Sequence, residues 1–390
     1  MPSKGYKQFL RLQNKLRILK SGPVFFDLFM AQIADAKQEI HAQFYIFKLD
    51  TIGVKVLTAL QQAAQKGVKV YLLLDDFGSK RFPKHILETC HDLKMEIKWF
   101  SPVQFPFGLG RRLHHKIVVI DRKWAFCGGM NVSDPYAGSG QFIDHVWLDF
   151  VMITEGMVVN DLLKVCRKYW GGLRFNRQKK EQLNPSINHA QLNQSAGVLQ
   201  NNWMARKKYI AAYYFSELRK STTEIIIINS YFLPSLLYRR MLIKAAKRGV
   251  QVKIILSGKS DVLLMQQAIR FIYSELLASG VQLYEWNQSV LHAKVALFDE
   301  SSFTIGSYNL NHLSQFSSVE TNLVSTDFNA YQDLKSIIDI ELLPYCGRIS
   351  IEQLQQKRNR ITHLIQYLSF TLVVALFRLY QRLIYNKNNS

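Results

Sequence analysis

One short pattern occurs twice in this chain, and that duplication limits the possible folds more than anything else in the sequence. Leu113–Asn131 reads LHHKIVVIDRKWAFCGGMN, and Leu291–Asn309 reads LHAKVALFDESSFTIGSYN. Each holds a His, a Lys two residues on and an Asp five further: His114, Lys116 and Asp121, then His292, Lys294 and Asp299. Each ends in a small pair and an Asn: Gly128, Gly129 and Asn131, then Gly306, Ser307 and Asn309. The histidines lie 178 residues apart, and no insertion separates either His from its Asn. A second echo agrees: AAQKGVKV at 63–70 returns as AAKRGVQV at 245–252, an offset of 182. Two matched echoes at nearly the same offset mark an internal duplication, in which each half carries one sheet and one chemical motif.

The local patterns fit such halves. Glu39–Phe47 and Glu224–Asn229 are rich in β-branched and aromatic residues and predict strands. Val68–Asp75 and Val250–Leu256 are continuous apolar runs, as in strands buried on both faces. Helical spacing fills 24–36, 53–65 and 238–247, and Lys66-Gly67 and Arg248-Gly249 stop two of these helices. Alternating strands and helices predict an α/β fold with a mixed sheet in each half. The expected divisions are 1–175, a polar linker or surface loop over 176–201, 202–345, and a helical tail over 346–390. Residues 4–20 read as a basic amphipathic helix.

The composition narrows the partners. Fifty Lys and Arg against 29 Asp and Glu give a net charge of +21, which points to anionic partners. A hydrophobic fraction of 48% supports a packed core and excludes general disorder. Cys90, Cys127, Cys166 and Cys346 are scattered without ligand spacing, so buried thiols are expected and zinc is not. The first 22 residues lack a signal-peptide core, and no 20-residue run is free of charge. Ile361–Phe377 comes nearest, with 17 uncharged residues, and is read as a helix lying in or partly inserted into a membrane. Phe105–Arg112 precedes the first motif and is read as a lipid-facing mouth, with Arg111 and Arg112 as head-group contacts.

The motif itself suits a phosphodiester. On a strand, alternation sets His114 and Lys116 on one face and His115, which has no counterpart in the second copy, on the other. His292 and Lys294 share a face in the same way. Asn131, Asn309 and Ser307 add donors for phosphate oxygens. One imidazole attacks phosphorus and the other serves as general acid, then general base. Asp149 and Glu320, which follow the two motifs, are placed to accept an imidazole Nδ1–H and fix the tautomer. Asp121 and Asp299 are counted with the catalytic set, although their place at strand ends suits bracing a loop better.

LHHKIVVID…GGMN and LHAKVALFD…GSYN resemble the paired HKD motifs of the phospholipase D superfamily over about residues 20–345. AQFYIF, AAQKGVKVYLLLDDFGS and SSVETNLV resemble bacterial cardiolipin synthases of the shorter, peripheral type. The resemblance implies two fused α/β halves packed as a pseudo-dimer with one shared active site. It implies no cofactor and no metal, with His114, Lys116, Asn131, His292, Lys294 and Asn309 binding phosphate or reacting. The resemblance leaves the nucleophile open between the two histidines, and His114 is the expected one. The implied partners are phosphatidylglycerol, phosphatidylethanolamine as a second phospholipid, and an anionic membrane, with no nucleic acid. The implied place is the cytoplasmic side of the bacterial cytoplasmic (inner) membrane. Hydrolysis of phospholipids and cleavage of nucleic acid are the alternative activities.

Overall fold

The computed structural model describes residues 6–101, 112–171, 194–202, 207–357 and 359–387. In the first half the order is β1 (Leu10–Lys20), α1 (Pro23–Ala34), β2 (Glu39–Phe44), α2 (Thr51–Gln65), β3 (Lys69–Asp75), α3 (Lys84–Asp92) and β4 (Glu96–Phe100). There follow β5 (Arg112–Leu113), β6 (Lys116–Ile120), β7 (Trp124–Gly128), α4 (Asp134–Ala137), β8 (Phe150–Gly156) and α5 (Met157–Trp170). The second half starts with β9 (Gln194–Asn202), β10 (Lys207–Lys208), α6 (Tyr209–Lys220), β11 (Glu224–Asn229), α7 (Leu236–Lys247) and β12 (Gln251–Lys259). It continues with α8 (Leu263–Phe271), α9 (Tyr273–Leu277), β13 (Gln282–Val290), β14 (Lys294–Phe298), β15 (Ser302–Gly306), α10 (His312–Phe316), β16 (Ser318–Ser325) and α11 (Phe328–Ser336). The chain closes with β17 (Cys346–Ile349), α12 (Ile351–Lys357) and α13 (Arg360–Lys387).

The duplication is visible in the strand order. The first half runs β4-β3-β2-β6-β7-β8-β1, and the second runs β13-β12-β11-β14-β15-β16-β9 with β17 on its outer edge. In both, two parallel pairs are followed by antiparallel ones. The echoed sequence stops α2 and α7 in the same way: Gly67 and Gly249 take φ of 90° and 91°. Only glycine enters that left-handed region freely, and the chain turns there into the next buried strand.

The strands β1 and β9 pair antiparallel and join the two sheets edge to edge, with a register shift between Arg11 and Asn14. Two expectations are corrected here. Residues 10–20 are strand rather than amphipathic helix, because β8 and β9 offer free ladder edges on either side of them. Leu16 and Ile18 turn toward the core, while buried Asn14 accepts from the Val158 N–H at 2.8 Å and donates to the Gln194 carbonyl at 3.1 Å. Tertiary pairing outweighs the helical spacing. The stretch expected as a linker likewise ends in strand, since Gln194–Asn202 is β9; residues 176–193 lie outside the described residues. The expected break at 345/346 falls at the start of paired strand β17.

Three cores result. One lies in the first half under α1 and α2, and one in the second half includes Val373 and Phe377 of the tail. The third is shared: Leu113, Ile117 and Phe150 pack in one cluster with Ile226, Val295, Phe303 and Leu323. Both motif strands therefore rest on a core made by both halves. Among the described residues Cys90, Cys127 and Cys166 are buried free thiols. The tail forms a longer helix than expected. Arg360–Leu379 is 20 residues with a mean hydropathy of 1.4 and only 11% buried, long and apolar enough to cross a membrane by length and composition.

Candidate active site

The two motifs meet through backbone contacts that cross between halves in the same way in each direction. The His114 N–H donates to the Val319 carbonyl at 3.0 Å, and the His292 N–H donates to the Leu148 carbonyl at 2.7 Å. The residue after each acceptor is a carboxylate. Glu320 Oε2 lies 3.0 Å from His114 Nδ1, and Asp149 Oδ2 lies 2.7 Å from His292 Nδ1. Each half thus supplies the carboxylate that orients the other half's imidazole, a pairing that spacing within either half does not reveal. With Nδ1 engaged, Nε2 is left for chemistry.

Position just before each histidine is fixed too. The Leu113 N–H donates to Asp75 Oδ2 at 2.7 Å, and the Leu291 N–H donates to Ser257 Oγ at 3.0 Å. Lys116 and Lys294 are buried, and each ammonium donates to the carbonyl of its own histidine, His114 or His292. Lys294 also donates to Ser230 Oγ at 3.0 Å. Burial pushes Lys116 down to about 7 and Lys294 down to about 8, with the charge of Lys294 adding to the shift of Lys116. Burial likewise lowers His114 and takes His292 well below the usual imidazole range. Asp149 moves the other way: burial raises its carboxyl to about 7. Near neutrality the Asp149–His292 pair can therefore hold one dissociable proton.

The small residue after Gly128 or Gly306 explains why the carboxylates differ. Ser307 Oγ donates to Glu320 Oε2 at 2.5 Å. Gly129 occupies the same place in the first half, and a Cβ there would stand 2.3 Å from Asp149 Oδ1. A longer carboxylate goes with a serine, and a shorter one with a glycine.

The other expected residues sort clearly. Asn131 Oδ1 accepts from the Ile46 N–H at 3.0 Å, and its amide donates to Tyr136 Oη at 3.0 Å, so it braces the pocket wall. Asn309 Oδ1 accepts from Ser230 Oγ at 3.0 Å. Asp121 and Asp299 are not in the pocket, which corrects their place in the catalytic set. They sit at hairpin turns with φ of 51° and 49°, followed by Arg122 and Glu300 at 55° and 52°. Two successive left-handed residues make the tight turn that matches strand twist. The Asp121 carboxylate takes the N–H groups of Lys37, Gln38 and Glu39 at 2.6–3.0 Å, and Asp299 takes those of Thr222, Thr223 and Glu224 at 2.7–3.0 Å. Each ties its hairpin to the start of β2 or β11, at the end of the motif strand remote from the histidine. His115 is buried between Gln43 Oε1 at 2.8 Å and Thr321 Oγ1 at 3.2 Å. Arg112, expected at a head group, is 8% exposed with its guanidinium 3.4 Å from Asp75; 105–111 lie outside the described residues.

Sequence reasoning missed the aromatic walls. Tyr45 stands 5.0 Å from the His114 ring. His292 is enclosed by Tyr136 at 5.4 Å, Trp147 at 6.2 Å and Tyr231 at 6.1 Å. Tyr136 and Trp147 lie on the connection between Asn131 and Asp149, which spans 18 positions where Asn309 to Glu320 spans 11. That unequal length was the available signal. Among the described residues no cluster of His, Cys, Asp and Glu is arranged to hold a metal ion.

Comparison with known proteins agrees with this geometry. The family model described as "Cardiolipin synthase, PLD-like domain" matches residues 29–139 and 214–340. Cardiolipin synthase B of Salmonella typhimurium is 31% identical over 358 residues, covering 88% of this chain and 84% of that protein. A cardiolipin synthase of Geobacillus sp. is 29% identical, over 90% of this chain and 70% of its own length. Among solved structures, a phosphatidylserine synthase of Haemophilus influenzae shares the fold with a TM-score of 0.70 at 13% identity, covering 94% of both chains. With both motifs duplicated, both sheets in one strand order and more than half its length matched, the chain belongs to the cardiolipin synthase, PLD-like domain family.

Proposed function

We propose that this protein is a phosphatidyltransferase that forms cardiolipin from phosphatidylglycerol and a second phospholipid through a covalent phosphohistidine. The observation that carries the reading is the pair of crossed His–carboxylate contacts beside two buried lysines. His114 Nε2 attacks the donor phosphorus, a P–N bond forms, and the P–O bond to the head-group alcohol breaks. The leaving oxygen takes the dissociable proton of the Asp149–His292 pair, delivered through His292 Nε2. With Nε2 now bare, His292 removes the proton of an incoming phosphatidylglycerol hydroxyl, whose oxygen attacks phosphorus and releases His114. Lys116 and Lys294 stabilise charge on the non-bridging oxygens, and the enclosing aromatic rings limit water. Two features support His114 as nucleophile. Its side chain is 15% exposed against 7% for His292, and the proton held near Asp149 suits His292 as the acid.

The apolar surface supports a membrane substrate. Leu364, Leu368, Leu372 and Leu376 form a stripe on α13, each about half exposed, and Leu263 at the start of α8 is 71% exposed. With the net charge of +21, this suits an anionic bilayer, peripheral or partly embedded at the cytoplasmic side of a bacterial inner membrane. The test is incubation with phosphatidylglycerol vesicles. Cardiolipin and glycerol are expected in equal amounts. Phosphatidic acid as the sole lipid product, with glycerol released, would establish a hydrolase instead, and cleavage of plasmid DNA with lipid untouched would overturn the lipid reading.

A further inference from the structure

One carboxylate at the chamber is not used by the mechanism. Asp261 is exposed, in the connection between β12 and α8, and both its oxygens accept from Tyr231 Oη, at 2.7 and 2.8 Å. The ring of Tyr231 stands 6.1 Å from that of His292 and 5.9 Å from Lys294 Nζ. A single phenol therefore separates this carboxylate from the second-half machinery, and its charge is felt at Lys294. The other acidic groups nearby are committed. Asp149 and Glu320 hold imidazoles, Asp75 takes backbone N–H groups beside Arg112, and Asp76 pairs with Arg81 at 3.0 Å. Among the described residues Asp261 has no ion-pair partner.

A carboxylate without an ion-pair partner beside a phosphodiester site opposes binding of the phosphate by simple Coulomb repulsion. It favours a ligand that brings hydrogen-bond donors to it. A carboxylate offers about four lone-pair sites, and one phenol does not fill them. Asp261 is followed by exposed Val262, Leu263 and Leu264, so it lies where a head group meets apolar surface.

We propose that Asp261 and Tyr231 form the acceptor head-group subsite and take the hydroxyls of a neutral polyol of the glycerol type. The subsite holds one hydroxyl at Asp261 while a second is presented to His292 for deprotonation. It disfavours anionic head groups, such as a carboxylate or a phosphomonoester, by like charge. This inference rests on the phosphatidyl-transfer reading above. Sites built to bind a substrate hydroxyl discriminate strongly against analogues that lack it.

The experiment supplies phosphatidylglycerol vesicles with ethanol as a competing mono-alcohol. It measures the ratio of cardiolipin to phosphatidylethanol together with total donor consumed. Asp261→Asn, Asp261→Ala and Tyr231→Phe are each expected to lower that ratio at least threefold, and Asp261→Glu to keep more of it than Asp261→Ala. A smaller change in ratio in both Asp261→Asn and Asp261→Ala overturns the subsite, as does a loss of both products in proportion, which marks a merely structural Asp261. Thermal unfolding identifies a variant that fails to fold, and the remaining variants then decide. A wild-type protein that consumes donor yet esterifies neither alcohol sinks the transfer reading itself, and the subsite with it.

Discussion

The first-half histidine and the second-half histidine are held by matching backbone contacts, yet their surroundings differ. Among the described residues His114 meets one ring, Tyr45, and a glutamate that Ser307 also supports. His292 meets three rings and an aspartate pressed against Gly129. The longer connection after the first motif supplies two of those rings to the opposite half. The comparison teaches how a duplicated chain acquires two roles from one motif: the reacting residues stay matched, and one loop of unequal length makes their environments unequal. An acid and a nucleophile need that inequality, because identical imidazoles would titrate alike.

The most severe way to break the comparison is to remove either imidazole. His114→Ala and His292→Ala are each expected to lower turnover by roughly 10⁴-fold or more, with thermal unfolding little changed. In single-turnover assays with radiolabelled lipid, His292→Ala should still form some phosphohistidine from a donor with a good leaving group, and His114→Ala none. Labelled protein in His114→Ala would reverse the assignment.

The next test exchanges the small residues. Gly129→Ala places a Cβ against Asp149 Oδ1, where a separation of 2.3 Å forces the carboxylate to move. A displacement of that size is expected to cost about 100-fold in kcat/KM. Ser307→Ala removes the hydrogen bond to Glu320 and the one accepted from the Thr321 N–H at 3.1 Å, for a loss of about tenfold. Equal losses in the two variants would mean that the halves are braced alike.

The smallest effect is in pH dependence, where the two lysines can be compared. Both are held below the ordinary 10.5, Lys116 at about 7 and Lys294 at about 8. As pH rises through these values the phosphate-binding charge disappears, so kcat/KM should fall several-fold, set first by Lys116. Stability should move the opposite way. The unfolded chain binds more protons at these lysines than the native one, so stability rises with pH over about 8 to 9. Above that, Cys127, raised from 9.0 to about 12, works against the trend. Lys294→Met should flatten the rise in the thermal midpoint; an unchanged slope would remove Lys294 as its source.

Much of the fold was legible because it is written in short periods. The buried runs Val68–Asp75 and Val250–Leu256, the glycines that end α2 and α7, and strand Glu224–Asn229 all depend on neighbours within a few residues. Helix α2 gained only two residues at its start, where Asp50 Oδ1 accepts from the Gly53 N–H at 3.2 Å. Residues 10–20 misled, because their spacing admits a helix and only the waiting edges of β8 and β9 make them a strand. The aromatic wall misled by omission, since Tyr136 and Trp147 lie far in sequence from the histidine they enclose.

By itself the sequence determined that there are two halves and that each carries a matched His and Lys at a strand, although β6 and β14 begin at the lysines and the histidines stand just ahead of them. Those facts follow from periodicity and repetition, which survive without knowledge of distant contacts. Only the tertiary structure decided that Asp149 serves His292 and Glu320 serves His114, that β1 and β9 join the sheets, and that Asp121 and Asp299 fasten hairpins away from the chemistry. Each of these is a choice between partners far apart in sequence. Such choices are settled by which edges, cavities and charges remain unpaired once both halves have folded.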